Sequence, residues 1–383
     1  MEKGNVLVIG NSGVGKSTLI NAVLGEDRAQ TGYGINGITK GLYVYENEHL
    51  PFRLIDSIGF EPSFLKEKMA ISAVKKWSKA STKVGNADTQ INLIWFCVDG
   101  TSRKLFPKAI QSLSRATSMW KSVPVVVVIT KSYAMKERAE NIEMVQNAFA
   151  AQKKFSCNLK KIIPVVASTY EINDTAFAPP DGITELIDIT NALMPEGFQA
   201  TEKDIAKYKL NRKRVLAQSI VGVSATSGFA IGLAPISIAD AALLTPLEAA
   251  EVAAIAKVYG IKKDPDSELF INSIINAGTV TTAAKALVAA LKNVPGINIG
   301  ASIINAAIAA SIVVALGEVS VYAFEQIYLG NKTLSDIAWV TKLLDSKMSS
   351  EFIEKVKTIV VDLKENEDSK KAVEKIVNAF FAK

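Results

Sequence analysis

Six short runs rich in Val, Ile and aromatics punctuate the first half of this chain at 6–9, 42–45, 52–55, 91–98, 123–129 and 162–166. Between most of them lie stretches with apolar residues at helical spacing, over 17–24, 63–83, 104–121, 136–153 and 183–193. Strands that are apolar throughout, instead of alternating, are buried on both faces. Their alternation with helices predicts an α/β fold, a mostly parallel six-stranded sheet with helices on both sides. The second and third runs have no helix between them and should pair directly. Beyond residues 195–205 the pattern changes: Pro195-Glu196-Gly197 closes the last helix, strand-like runs cease, and Ala-, Ile-, Val- and Gly-rich stretches follow. The expected organisation is an α/β domain over 1–198 and an all-helical domain over 199–383.

The second half carries its own punctuation. Thr245-Pro246-Leu247-Glu248 reads as a capping box with proline at the first helical position, and Gly260 as the stop of that helix. Asp264-Pro265-Asp266-Ser267 opens the next helix, and Pro295-Gly296 and Gly330-Asn331 mark later ends. Residues 347–383 alternate Lys and Glu with Val, Ile and Phe at helical spacing, as amphipathic helices closing a bundle would. Two segments, 215–239 and 293–317, contain no charged residue and are long enough to cross a bilayer. Each holds a G-x-x-x-G spacing, Gly228–Gly232 and Gly296–Gly300, which lets helices approach closely. Ser, Thr and Asn dilute both and Pro235 breaks the first, which suits the centre of a bundle equally well. Two readings therefore stay open: a helical bundle on the cytoplasmic side, or peripheral or embedded association with an inner membrane.

Composition narrows the field. The 383 residues are 49% hydrophobic and 21% charged, with a net charge of +6. That mild balance, without a block of like charges, gives no indication of nucleic-acid binding. Lys203, Lys207, Lys209, Arg212, Lys213 and Arg214 crowd one stretch, which reads either as a solvated helix face or as contact with an anionic membrane surface. Two distant cysteines, Cys97 and Cys157, offer neither a disulfide framework nor a metal cluster and fit a reducing compartment. The first strand begins almost at once, leaving no room for a secretory leader, so a cytoplasmic address is expected.

The chemistry concentrates in the loops after the strands. Gly10-Asn11-Ser12-Gly13-Val14-Gly15-Lys16-Ser17 matches G-x-x-x-x-G-K-[ST] between a predicted strand and helix, and Thr18 continues that helix. Glycine-rich backbone amides and a helix amino terminus converge on one spot there, which suits a polyphosphate. Lys16 would lie along the β- and γ-phosphates and the Ser17 hydroxyl would take a Mg²⁺ position. Asp56-Ser57-Ile58-Gly59 follows the third run. From there Asp56 can reach the metal through water, and the Gly59 amide can meet a γ-phosphate. Between these loops, four glycines bracket Thr39 in residues 32–41, a flexible segment able to close a hydroxyl onto the metal.

The fifth run ends in Thr130-Lys131-Ser132-Tyr133 and the sixth in Val165-Val166-Ala167-Ser168. With these the order of motifs resembles the translation-factor-like class of P-loop GTPases over about the first 195 residues. The likeness implies a Ras-like fold that binds GTP and GDP with Mg²⁺. It places Gly10–Thr18 on the phosphates, Thr39 and Asp56 in the two switches, and Thr130 and Lys131 beside the base. Ala167 and Ser168 would meet guanine O6 through backbone amides, and Lys16, Thr39 and Gly59 would serve hydrolysis. Glycine at position 13 makes the phosphate loop similar to septin and immunity-related GTPases more than to Era-like ones, whose asparagine there helps bind potassium. The segment Gly228-Phe229-Ala230-Ile231-Gly232-Leu233-Ala234-Pro235-Ile236-Ser237-Ile238-Ala239-Asp240 and the ending Ala254-Ile255-Ala256-Lys257-Val258-Tyr259-Gly260 resemble a bacterial GTPase family with an uncharacterised helical domain suspected of membrane association.

Two departures from the pattern matter. Tyr133 stands where the base-reading Asp belongs, which should weaken discrimination among purines; Glu137 could supply a carboxylate if its loop folds back. Phe60 stands where many relatives carry a glutamine that orients water, so hydrolysis should be slow unless a partner or a second copy completes the site. The leading expectation is a Mg²⁺-dependent GTP switch whose nucleotide state moves the helical half. The alternatives are a membrane-associated scaffold gated by nucleotide, and an ATP-using relative.

Overall fold

The computed structural model describes residues 3–25, 42–57, 90–116, 122–173, 175–234, 244–277, 300–348, 350–364 and 367–381. The predicted helix 63–83, Thr39, Gly59, Phe60 and the loop 32–41 lie outside the described residues, as do Pro235 and Gly296. Contacts divide the chain into two compact units, one of residues 1–168 and 180–212, the other of 169–179 and 213–383.

In the first unit, β1 (Gly4–Ile9), β2 (Leu42–Tyr45), β3 (Phe52–Ser57), β4 (Ile91–Asp99), β5 (Val125–Thr130) and β6 (Leu159–Pro164) form one sheet. Its order is β2-β3-β1-β4-β5-β6, parallel except that β2 and β3 pair antiparallel. The direct pairing follows from the absence of a crossover helix between them. β1 and β5 are buried along their whole lengths, as strands covered on both faces must be. Helices α1 (Lys16–Leu24), α2 (Phe106–Ala116), α3 (Arg138–Ala150) and α4 (Ile183–Leu193) accompany them. Trp95 and Phe52 meet edge to face at 6.0 Å, and the indole Nε1 donates to Thr190 Oγ1 at 3.0 Å, so a large aromatic is buried with its polar atom satisfied.

Sequence pattern placed β6 at 162–166; the observed strand is Leu159–Pro164, and Val165 and Val166 continue beyond it through a bridge to Asp181. A short hairpin, β7 (Tyr170–Asn173) with β8 (Ala176–Ala178), follows and belongs to the second unit. Strands of four and three residues with mixed exposure leave no run for a sequence reading to find.

Helix α5 (Glu202–Leu233) contributes residues 202–212 to the first unit and 213–233 to the second. The second unit continues with α6 (Thr245–Val258), α7 (Pro265–Ala277), α8 (Ala301–Tyr328), α9 (Ile337–Lys347), α10 (Ser350–Asp362) and α11 (Ser369–Phe381). α8 is its axis and packs against α6, α7, α9, α10 and α11. Its most apolar window is 89% buried within the protein, so packing accounts for its apolarity. Gly228 and Gly232 bring α5 against it: a Cβ on Gly232 would sit 2.5 Å from the Ala306 Cα, inside any allowed contact.

The basic stretch on α5 divides: Lys203 and Lys207 are exposed, as a solvated face requires, while the four basic residues after them turn to partners within the protein. Arg212 and Lys213 are buried; Arg212 Nε donates to Ala22 O at 3.1 Å, and Lys213 Nζ to Val258 O at 2.6 Å. Lys209 pairs with Asp188 at 2.8 Å, and Arg214 pairs with Glu325 through two hydrogen bonds. Glu248 also does not complete the expected capping box among the described residues. α6 starts at Thr245 after Leu244 with no side-chain cap, and Glu248 is wholly buried instead. Glu248 and Glu251, one turn apart, enter the apolar interior, and among the described residues none of their four carboxylate oxygens has a hydrogen-bond partner.

Candidate functional site

The turn after β1 is shaped by three glycines. A Cβ on Gly10 would lie 2.5 Å from Cys97 O, so β1 and β4 can run this close only over glycine. Gly13 (φ 78°) and Gly15 (φ 96°) take left-handed backbone that costs other residues energy. Gly15 then caps α1, and Leu19 N closes onto its carbonyl at 3.0 Å. The amides of Gly13, Gly15, Lys16 and Ser17 donate to no acceptor among the described residues. Four unpaired donors at a helix amino terminus form a concentrated positive potential. Lys16 Nζ lies over the same turn, donating to Gly10 O at 2.9 Å and Asn11 O at 3.1 Å. Val14 is buried, while Asn11, Ser12 and Gly13 line one wall of a cleft of about 280 Å³ whose other wall comes from β4 and α2.

Asp56 ends β3 at the side of β1, paired in register with Val8. It is buried, and its Oδ1 has no hydrogen-bond partner among the described residues. Burial raises the carboxyl above its ordinary range, and the nearby Lys16 ammonium opposes the rise. An anionic oxygen kept out of water with one lone-pair set unused fits an arrangement completed by a cation. Ser17, one residue past Lys16 on α1, offers a hydroxyl for the same purpose. The donor set therefore suits a hard divalent ion such as Mg²⁺.

The loops after β5 and β6 meet at the carboxyl edge of the sheet, where ligands of doubly wound folds bind. Thr130 Oγ1 is buried within donating distance of Val14 O and Val98 O, so it ties β5 to the phosphate turn. Lys131 has φ 52°, a left-handed backbone that lysine rarely adopts. That twist aims its ammonium at Gly13 O and Asp99 Oδ2, both at 2.7 Å. Burial alone would raise the Asp99 carboxyl, but hydrogen bonds from Lys131 and Thr101 outweigh it and hold the group below the usual range. Ser132 Oγ donates to Ile129 O at 2.7 Å and its amide to Val165 O at 3.1 Å, joining the two loops. Arg138 completes the joint, donating to Ser132 O at 2.9 Å and pairing with Asp181, which bridges to Val166. Ala167 and Ser168 follow, and their amides meet no acceptor among the described residues.

The structure thus gathers Gly10–Thr18, Asp56, Thr130, Lys131, Ala167 and Ser168 around one edge of one sheet; Thr18 is the exposed member on α1. Asp99, Arg138 and Asp181 were missed by the sequence reading. Asp99 had a signal, an acid closing a buried strand next to the phosphate turn; the Arg138–Asp181 pair spans 43 residues and had none. Glu137 does not fold back toward residues 130–133: it lies 3.7 Å from Arg103, which also holds Glu140.

Comparison with known proteins bears on part of this unit. A family model described as 50S ribosome-binding GTPase matches residues 5–131. Residues 5–131 belong to a P-loop GTPase domain. Among curated proteins, GTPase Der of Ralstonia pickettii (strain 12J) is 33% identical over 88 residues, 22% of this chain and 19% of Der. The probable GTP-binding protein EngB of Thermotoga petrophila is 25% identical over 197 residues, 51% of this chain and 88% of EngB. A crystal structure of a probable GTP-binding protein engB aligns over 50% of this chain and 98% of its own, at 19% identity and a TM-score of 0.34. The chain spans about a fifth of the length of Der and 88% of that of EngB.

Proposed function

We propose that this protein is a magnesium-dependent GTP-binding switch that hydrolyses GTP slowly and passes its nucleotide state to the helical unit. The observation that carries the reading is the turn 13–17, with its four unpaired amides and Lys16 beside it. Only an anion with several acceptor oxygens uses such a turn fully, and a polyphosphate is that anion. Mg²⁺ would be held by Ser17 and, through water, Asp56, with Thr39 joining from the loop 32–41; bound there, the ion neutralises phosphate charge. Gly59 would read the γ-phosphate through its amide. Thr130 and Lys131 brace the phosphate turn from the base side, and Ala167 and Ser168 offer donors to a purine O6. Slow turnover follows from Phe60, which cannot orient a water, and a second copy or a partner would supply the missing contact.

Helix α5 supports the coupling. Tyr208 Oη lies within donating distance of Val23 O and Leu24 O, and Arg212 reaches Ala22 O. These side chains hold the carboxyl end of α1, whose amino end is the phosphate turn. The same helix continues into Lys213 and Arg214, which are bonded within the second unit. A shift of α1 on γ-phosphate binding would therefore reach α5 directly. A cytoplasmic location is part of this reading. Sedimentation with anionic liposomes tests it, since pelleting without nucleotide would favour the membrane scaffold. The deciding experiment is Mg²⁺-dependent GTP binding and turnover by the full chain and by Lys16→Ala. The substitution is expected to lower affinity by about 100-fold or more, the scale of losing a charge-assisted phosphate contact. Unchanged affinity would remove the site assignment.

A further inference from the structure

We infer that this site selects its purine through the 6-oxo group alone and does not read the 2-amino group of guanine, so that inosine and guanosine triphosphates are equivalent ligands. The inference rests on the phosphate-site reading above and extends it to the base. Reading the N1–H and N2–H₂ edge of guanine takes an acceptor pair, in practice a carboxylate, beside the loop after β5. Tyr133 occupies that place in the sequence. The carboxylates bordering the two base loops are committed elsewhere. Asp99 accepts from Lys131 and Thr101, Asp181 from Arg138 and the Gly182 amide, and Glu137 faces Arg103. The Thr130 hydroxyl is turned to backbone carbonyls and the Lys131 ammonium to Gly13 O and Asp99. A phenol presents one oxygen and cannot accept from both guanine groups at once in the bidentate way of a carboxylate.

The opposite edge is different. The amides of Ala167 and Ser168, neither with an acceptor among the described residues, follow a segment pinned by Val165 N to Ile129 O at 2.7 Å and Val166 N to Asp181 O at 3.0 Å. Two fixed donors suit a carbonyl oxygen and leave a 6-amino group facing like donors. A site built to satisfy a hydrogen-bonding group rejects the analogue lacking it, and a group with no partner in the site adds no discrimination. The chemistry therefore favours 6-oxopurines as a class over adenine.

The test is competition of GTP, ITP and ATP against a ribose-labelled fluorescent GTP analogue on the full chain with Mg²⁺. ITP is expected within about threefold of GTP and ATP weaker by about tenfold or more. ITP weaker than GTP by tenfold would overturn the inference, because the 2-amino group would then be read. ATP equal to GTP would overturn it from the other side. Failure of all three to bind would instead strike the phosphate-site reading. Tyr133→Asp should restore a carboxylate and open a gap of about tenfold between GTP and ITP, whereas Tyr133→Phe should leave their ratio within about twofold. A changed ratio in the phenylalanine variant would show that the phenol itself reads the base edge and would count against the inference.

Discussion

Replacing Glu248 by glutamine should stabilise the helical unit near neutrality and flatten its dependence on pH. Glu248 is wholly buried on α6, its carboxylate oxygens have no partner, and burial pushes its carboxyl from 4.5 up to about 8. Glu251, fully enclosed one turn away, is pushed up by burial and further by Glu248. Among the described residues no cation pairs with either. On the neighbouring helices Lys213 is bonded to Val258 O, and Glu325 to Arg214 and Tyr259. Because the folded value lies above the unfolded one, the folded state keeps a proton that the unfolded chain releases. Stability is then complete below pH 4.5, falls by about 1.4 kcal/mol per pH unit as pH rises toward 8, and levels off above it. At pH 7 Glu248 alone should cost about 3 kcal/mol relative to pH 4.5.

Glutamine keeps the shape and removes the ionisation. Hydrogen exchange of α6 and α8 amides, corrected for the chemical exchange rate at each pH, reads the effect. Wild-type protection should weaken steadily from pH 5 to pH 8. Glu248→Gln should lose about half of that slope, and Glu248→Gln with Glu251→Gln nearly all of it. A wild-type unit with flat protection across this range, or a double variant with the wild-type slope, would refute the reasoning.

Other perturbations report on other parts of the fold. Arg138→Gln breaks the pair with Asp181 and releases Ser132 O, so GTP should dissociate about tenfold faster in stopped-flow chase experiments while urea stability of the first unit drops by only about 1–2 kcal/mol. Gly232→Val places side-chain atoms against the Ala306 backbone. It should destabilise the helical unit by about 1–3 kcal/mol in denaturant unfolding and leave GTP affinity within about twofold. Arg212→Met strips the buried guanidinium from the end of α1 and should lower the thermal midpoint of the first unit, by about 1–3 kcal/mol in free energy.

Much of the phosphate turn could be read from the sequence because its geometry is local. Left-handed glycines at 13 and 15 and a helix opening at Lys16 define the donor array within eight residues. The sheet was legible for a related reason: strands covered on both faces must be apolar at every position, and β1, β4 and β5 are nearly so. Amphipathic helices α10 and α11 announced themselves by the same logic. The polar residues that gave misleading readings were those whose partners lie far away in the chain. Glu248 three residues after a threonine has the spacing of a cap, yet it turns inward. The six basic residues on α5 look like one surface until Arg212, Lys213 and Arg214 find carbonyls and a carboxylate up to 190 residues distant.

Sequence alone therefore determined where the backbone turns, which segments are buried, and that a glycine-shaped turn opening a helix follows β1. These depend on steric limits and hydrophobic periodicity over a few residues. Tertiary structure decided which charges are spent inside the protein. It gave Asp99 to Lys131, Asp181 to Arg138 and the end of α1 to Arg212, and it left Glu248 and Glu251 unpaired in the interior. Charge pairing is short-ranged in space and indifferent to separation along the chain, so only the folded arrangement of helices and strands could assign it.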